Sequence, residues 1–182
     1  GDILTISESP LAITQGRAIP VAEIKVSPLA KLLSRFVAKV PYGIGLGAPT
    51  SMQCAIEETG VLRILLAAFI GAIGKLLGRK GDFYRVAGIQ AALIDAATTS
   101  PVPPYTDMVI KGPVHPKEVC EDLHSRFGYE FAVMDINDIG GCWMIGSSPN
   151  VSKHFMEKVM KDNPQGQGDE LTPFCIVRRV DN

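Results

Sequence analysis

The chain has few of the residues that build metal centres or cross-links. Its 182 residues include only three histidines and four cysteines. Cys54, Cys120, Cys142 and Cys175 stand far apart with no CxxC pair, and His115, His124 and His154 show no metal-ligand spacing. This argues against a zinc knuckle and against a disulfide framework, and it fits a reducing, cytoplasmic setting. Neither sign of charge is in excess: Lys+Arg 18 against Asp+Glu 19 leave a net charge of −1. No bulk attraction to nucleic acid or anionic lipid is expected, so any polyanion binding has to be local. No apolar run approaches the ~20 residues that a bilayer-spanning helix needs. The longest, over 64–73, lies between Arg63 and Lys75. It reads as a buried segment or a subunit contact, with membrane attachment the lesser reading.

A phosphate loop is also missing. Gly43-Ile-Gly45-Leu-Gly47 precedes a helix, but Pro49 and Thr50 stand where a Gly-Lys-Ser/Thr ending is required. The GxGxG spacing is not that of a dinucleotide fingerprint either. A flexible connection is the better reading, although the free amides of the following helix can still hold an anion.

What the sequence does hold is an acidic cluster behind an apolar strand. The run Tyr129-Glu-Phe-Ala-Val-Met134 leads into Asp135-Ile-Asn137-Asp138-Ile-Gly140-Gly141. Carboxylates, an amide and glycines at a strand end deliver hard oxygen ligands to a turn that a ligand can approach closely. A second such block, Gly166-Gln167-Gly168-Asp169-Glu170, precedes the last strand-like run. Asn, Asp and Gly are also the ordinary turn residues, and either block taken singly reads as a turn.

Helices are expected from Ser27-Pro28, from Thr50 through 62 with the capping-box spacing Thr50-Ser-Met-Gln53, from Pro116 to Gly128, and over 152–161. Strands are expected over 3–7, 83–89, 107–111, 129–136, 142–145 and 174–178. Together these give one α+β domain over 1–182, a mixed β-sheet with packed helices. The proline-rich loop near 98–106 divides it into two lobes around a cleft. The opening Gly1-Asp2 runs straight into an apolar strand, from which we expect natural residues upstream. The histidines read as surface residues, Trp143 as core or interface, and Arg178-Arg179 as a solvated edge.

Taken in order, these blocks resemble the coenzyme F-420 γ-glutamyl ligases. The opening segment through Gly16-Arg17 is similar to the family's strand, small polar pair and Gly-Arg. Val86-Ala-Gly88-Ile89-Gln90 is similar to its "NAGID" run, and Gly166-Gln167 through Glu170 to Arg178 to its closing strand. The resemblance runs, with gaps, from Gly1 to about Arg178. It implies a GTP-dependent and divalent-metal-dependent (Mn or Mg) joining of glutamate to a deazaflavin precursor, by a homodimer acting on a small molecule without nucleic acid or membrane. Carried onto this sequence, it implies nucleotide binding by Ser7, Ser9, Arg17, Gly166 and Gln167. The metal ligands it implies are Asp135 or Asp138, with Gln90 and Glu170.

Three positions depart from the family pattern. Ile13 stands where a phosphate-pairing lysine is expected, Gln90 where the family has a metal-binding aspartate, and Leu93 where it has an asparagine. An alkyl group supplies no charge, and an amide oxygen binds a hard cation without neutralising it. Two readings follow: a divergent ligase, and a non-catalytic binding or assembly module that keeps the ligase fold.

Overall fold

A computed structural model of the chain describes residues 1–37, 44–100, 102–137, 140–166 and 170–178. Its strands are β1 (Ile3–Ser7), β2 (Ala18–Pro20), β3 (Met108–Ile110), β4 (Glu130–Ile136), β5 (Cys142–Ser147) and β6 (Phe174–Val177). Its helices are α1 (Glu8–Thr14), α2 (Pro28–Ser34), α3 (Pro49–Thr59), α4 (Val61–Leu76), α5 (Asp82–Ala87), α6 (Ile89–Ala92), α7 (Pro116–Phe127) and α8 (Lys153–Val159). The fold is α+β, with a mixed four-stranded sheet in the order β5-β4-β1-β6 and a two-stranded sheet, β2-β3. The chain divides into two compact units, Gly1–Gln15 with Pro113–Asn182, and Gly16–Gly112.

The first unit is built on β1, which pairs parallel with β4 and antiparallel with β6. Strand alternation sends successive side chains to opposite faces, so the two faces carry different cores. Leu4, Ile6, Phe131 and Val133 meet Leu11 of α1 and Val119, Cys120 and Leu123 of α7. On the other face Ile3, Ala132, Met134 and Val177 meet Met156 of α8 and Met160. Met134 and Met156 are fully buried, and each such side chain contributes about 1.5–3 kcal/mol. Ser152 caps α8 by accepting from the Phe155 amide, which satisfies one of the amides that a helix start leaves without a partner.

The second unit packs helices against the β2-β3 ribbon. Its core gathers Leu46, Met52, Ala55, Ile64, Ala67 and Val109 among others. Helix α2 starts as its Ser27-Pro28 pair implies: the Ser27 hydroxyl accepts from the Ala30 amide, and Pro28 opens the helix. Gly60, at φ +86°, separates α3 from α4, and the two axes bend by 117° there. A residue with a Cβ is disfavoured at that φ.

Two expected elements differ. Residues 83–89 form no strand; they belong to α5 and the start of α6. Gly81 and Gly88, both at positive φ, bracket α5, and Phe83 and Val86, three residues apart, share a helical face packed on the core. Asp82 fixes the turn by pairing with Arg79 at 3.0 Å and Arg85 at 2.6 Å. The capping box at Thr50 does not form either, because Pro49 already occupies the first helical turn and Ala48 is the N-cap. Gln53 instead accepts from the Ser27 amide and donates to Glu57. Trp143 is half-exposed on β5 rather than core.

At Gly146 the α7 backbone lies against β5: an added Cβ would meet the Pro116 carbonyl carbon at 2.5 Å and the Lys117 nitrogen at 2.6 Å. Backbone cannot rotate aside, so Gly146→Ala is expected to destabilise the first unit by about 1–3 kcal/mol. Urea unfolding followed by circular dichroism checks it through a lowered midpoint at unchanged slope.

Candidate functional site

In the first unit, the parallel register of β1 and β4 ends at Ser7 opposite Met134. The next residue along each strand is a carboxylate, Glu8 on one and Asp135 on the other. The carboxyl ends of parallel strands are where backbone groups are left free for ligands. Glu8 is buried, and the Ser9 hydroxyl donates to it at 2.8 Å. On the other side of β1, the Ser7 amide donates to the Pro173 carbonyl at 2.9 Å and its hydroxyl to the Thr172 carbonyl at 3.3 Å. The Thr172 amide in turn donates to Gln165. Gly166, at φ +73°, closes this turn so tightly that an added Cβ would lie 2.6 Å from the Glu170 side chain.

Ser7 and Asp135 at strand ends, Ser9 in the first turn of α1, and Gly166 and Glu170 before β6 therefore belong to one unit. Chain topology brings Ser7 beside the turn before β6 from the far end of the sequence. Asp138 and Gln167, like Gly168, Asp169, Gly43 and Arg179, lie outside the described residues. Arg17 and Gln90 belong to the second unit. Gln90 sits half-buried in the short helix α6.

Arg17 is held on every side within its own unit. Its Nη2 pairs with Glu58 at 2.8 Å, its Nε donates to the Gly112 carbonyl, and its own carbonyl accepts from the Lys111 amide at 3.0 Å. Lys111 closes the cluster on Glu58 at 3.1 Å. All three charged side chains are largely buried, at 15–17% exposure. Burial pushes the Glu58 carboxyl up, but hydrogen bonds from Arg17 and Lys111 and the charges of both outweigh it, and the group ends below the ordinary 4.5. Sequence reading missed Glu58 and Lys111. A signal was present: Glu57 and Glu58 lie in the last turn of α3, where the helix dipole disfavours acids, so a pair of them there implies cations nearby.

Other chemistries find little support. Among the described residues, no three His, Cys, Asp or Glu side chains converge to hold a metal ion, so the described part of the donor set does not fit a divalent metal centre. The thiols are poor nucleophiles: burial pushes Cys54 up to about 11 and Cys120 up to about 12, and raises Cys142 and Cys175 as well. His124, Glu130 and Ser148 approach one another, but the carboxylate lies between the imidazole and the hydroxyl. Ser148 is 1% exposed and its hydroxyl is shared with the Phe131 amide and carbonyl. The imidazole does not reach the hydroxyl, which donates to the Glu130 carboxylate and ties strand ends together. Around Gly45–Gly47 the chain makes a single 3-10 turn with Leu46 buried, and Pro49 removes one of the amides that an anion would use. His115 and Arg178 are exposed: Arg178 pairs with Asp2 at 2.6 Å, and His115 lies 3.5 Å from Glu118.

No protein-family model matches the chain, and a search of curated proteins finds no match.

Because the Glu58 carboxyl is depressed in the fold, its stabilisation is present above pH 4.5 and lost as the pH falls through the lower, folded value. Glu58→Gln removes the charge that both cations face and is expected to destabilise the second unit by about 1–3 kcal/mol at neutral pH. Urea midpoints between neutral and acid pH check both points: the gap between native and variant should narrow below pH 4.5.

Proposed function

We propose that this chain is a γ-glutamyl-ligase-like protein in which the fold serves as a binding or assembly module, without appreciable ligation of glutamate to a deazaflavin precursor. The observation that carries the proposal is the engagement of Arg17. The Gly16-Arg17 block is the part of the chain that resembles the family's nucleotide segment, and its guanidinium is paired with Glu58 and bonded to Gly112. A phosphate would have to compete with a carboxylate already desolvated beside it. Ile13 and Gln90 act in the same direction, since each leaves uncharged a position that carries charge in the family. A homodimer in the cytoplasm, binding a small molecule, is part of this reading by resemblance.

A second reading is favoured by the polar strand ends of the first unit, where Ser7 bonds to Thr172 in the turn before β6 and Asp135 follows the residue opposite Ser7 on β4. In it the chain is a ligase: phosphoryl transfer from GTP activates a carboxylate, and an amine attacks the acyl phosphate. GTP and a divalent ion, Mn or Mg, belong to that reading by resemblance alone, since the described residues do not assemble a metal centre.

Two measurements separate the readings. Calorimetric titration with GTP and manganese is expected to give little heat with the native protein and more after Ile13→Lys with Gln90→Asp. Mass spectrometry of a reaction with glutamate and the deazaflavin precursor should find no glutamylated product. Clear product from the native chain would return it to the ligases.

A further inference from the structure

Helix α4 is apolar on both faces. Ile64, Ala67 and Gly74 are buried against the second unit's core. Leu62, Leu66, Phe69, Ile73 and Leu76 recur at helical spacing on the other face, and their exposure runs from 43% at Ile73 to 87% at Leu76. Single exposed apolar residues are ordinary; a continuous stripe over a whole helix marks a contact surface. The expectation of a buried segment therefore holds for one face of the helix only.

Charge indicates what the other face meets. Between Gly60 and Gly88 the chain carries Arg63, Lys75, Arg79, Lys80 and Arg85 against the single acid Asp82. This segment is net +4 in a chain of net −1, so the remainder carries −5. No acid occurs between Gly60 and Gly81. Lys75 and Lys80 make no ion pair with a described residue, while Arg79 and Arg85 share Asp82. A second copy of the same face would bring cations against cations, with only Asp82, already shared by Arg79 and Arg85, to offset them. An apolar stripe with a basic border complements a surface that is apolar inside and anionic at its rim.

We propose that the outer face of α4 docks on the surface of a bilayer containing anionic phospholipid. Its 16 residues span about 24 Å at 1.5 Å per residue, less than the ~30 Å hydrocarbon core. The helix therefore lies in the plane of the interface, with Leu66 and Phe69 among the acyl chains and Lys75 and Lys80 at the headgroups. A cleft of 270 Å³ between α4 and α5 adjoins the stripe through Ile73 and Leu77, with Arg79, Asp82 and Arg85 among its lining residues. Its apolar walls suit part of an acyl chain, while Arg79 and Arg85 stay paired with Asp82.

Co-sedimentation of the 182-residue chain with vesicles tests it, comparing phosphatidylcholine alone with phosphatidylcholine containing a minority of phosphatidylserine. The protein should pellet with the anionic vesicles, far less with the neutral ones, and less as salt rises. Lys75→Gln with Lys80→Gln should weaken partitioning roughly fivefold per lysine, and Leu66→Glu with Phe69→Glu should weaken it at least about tenfold. The lysine pair is on the surface, so its variant reports even where the apolar variant is poorly folded. Absence of binding to anionic vesicles, or binding that neither variant weakens, would overturn the proposal. So would sedimentation velocity showing a dimer that Phe69→Glu dissolves in a protein that does not bind vesicles, which would assign the face to a second copy.

Discussion

The carboxylate of Glu58 is the point on which the second unit is assembled. It sits at the end of α3 and accepts from Arg17, one residue before β2, and from Lys111, one residue after β3. A helix end and the two strand termini at one end of a two-stranded ribbon are thereby fixed by one group. The ribbon has only three paired positions, and so short a pairing is marginal without such support. Two cations on one acid, largely removed from water, leave no member of the cluster that can depart without leaving a desolvated charge behind. The guanidinium of the Gly16-Arg17 block is thereby a structural member of this cluster.

The first unit depends on a different constraint. Strand β1 lies inside its sheet although it opens the chain, and β4 and β6 join it from beyond residue 113. A central strand must bury both faces, and β1 does so with Leu4 and Ile6 on one side and Ile3 on the other. That topology sets Ser7 opposite Met134 of β4 and against Thr172 and Pro173 before β6. Juxtaposition of Ser7 with Thr172 is a consequence of strand order, not of proximity in sequence.

Strand and helix existence was legible where a single period ran undisturbed. Alternation in 3–7 and 129–136 and the Ser27-Pro28 and Pro116 starts all gave the observed elements. Residues 83–89 misled because Phe, Tyr and Val favour strands, whereas the deciding features were flanking glycines at positive φ and a buried ion-paired Asp82. The apolar run over 64–73 pointed to a buried segment or a subunit contact but could not show that only one face of the helix is buried. Of the site, the polar strand ends in the first unit were readable from composition. The tie between Arg17 and Glu58 spans 41 residues and joins groups that pattern alone cannot pair; only the acids at the wrong end of α3 hinted at it.

Glu58 holds the Arg17 guanidinium as part of the fold, and the strength of that hold is the quantity to measure. A double-mutant cycle of Arg17→Ala, Glu58→Ala and both together, read from chemical unfolding, measures it directly. Coupling of about 1–3 kcal/mol is expected for an ion pair so largely withdrawn from water. Strict additivity of the two substitutions would show that the guanidinium is not held by Glu58, and would contradict the account.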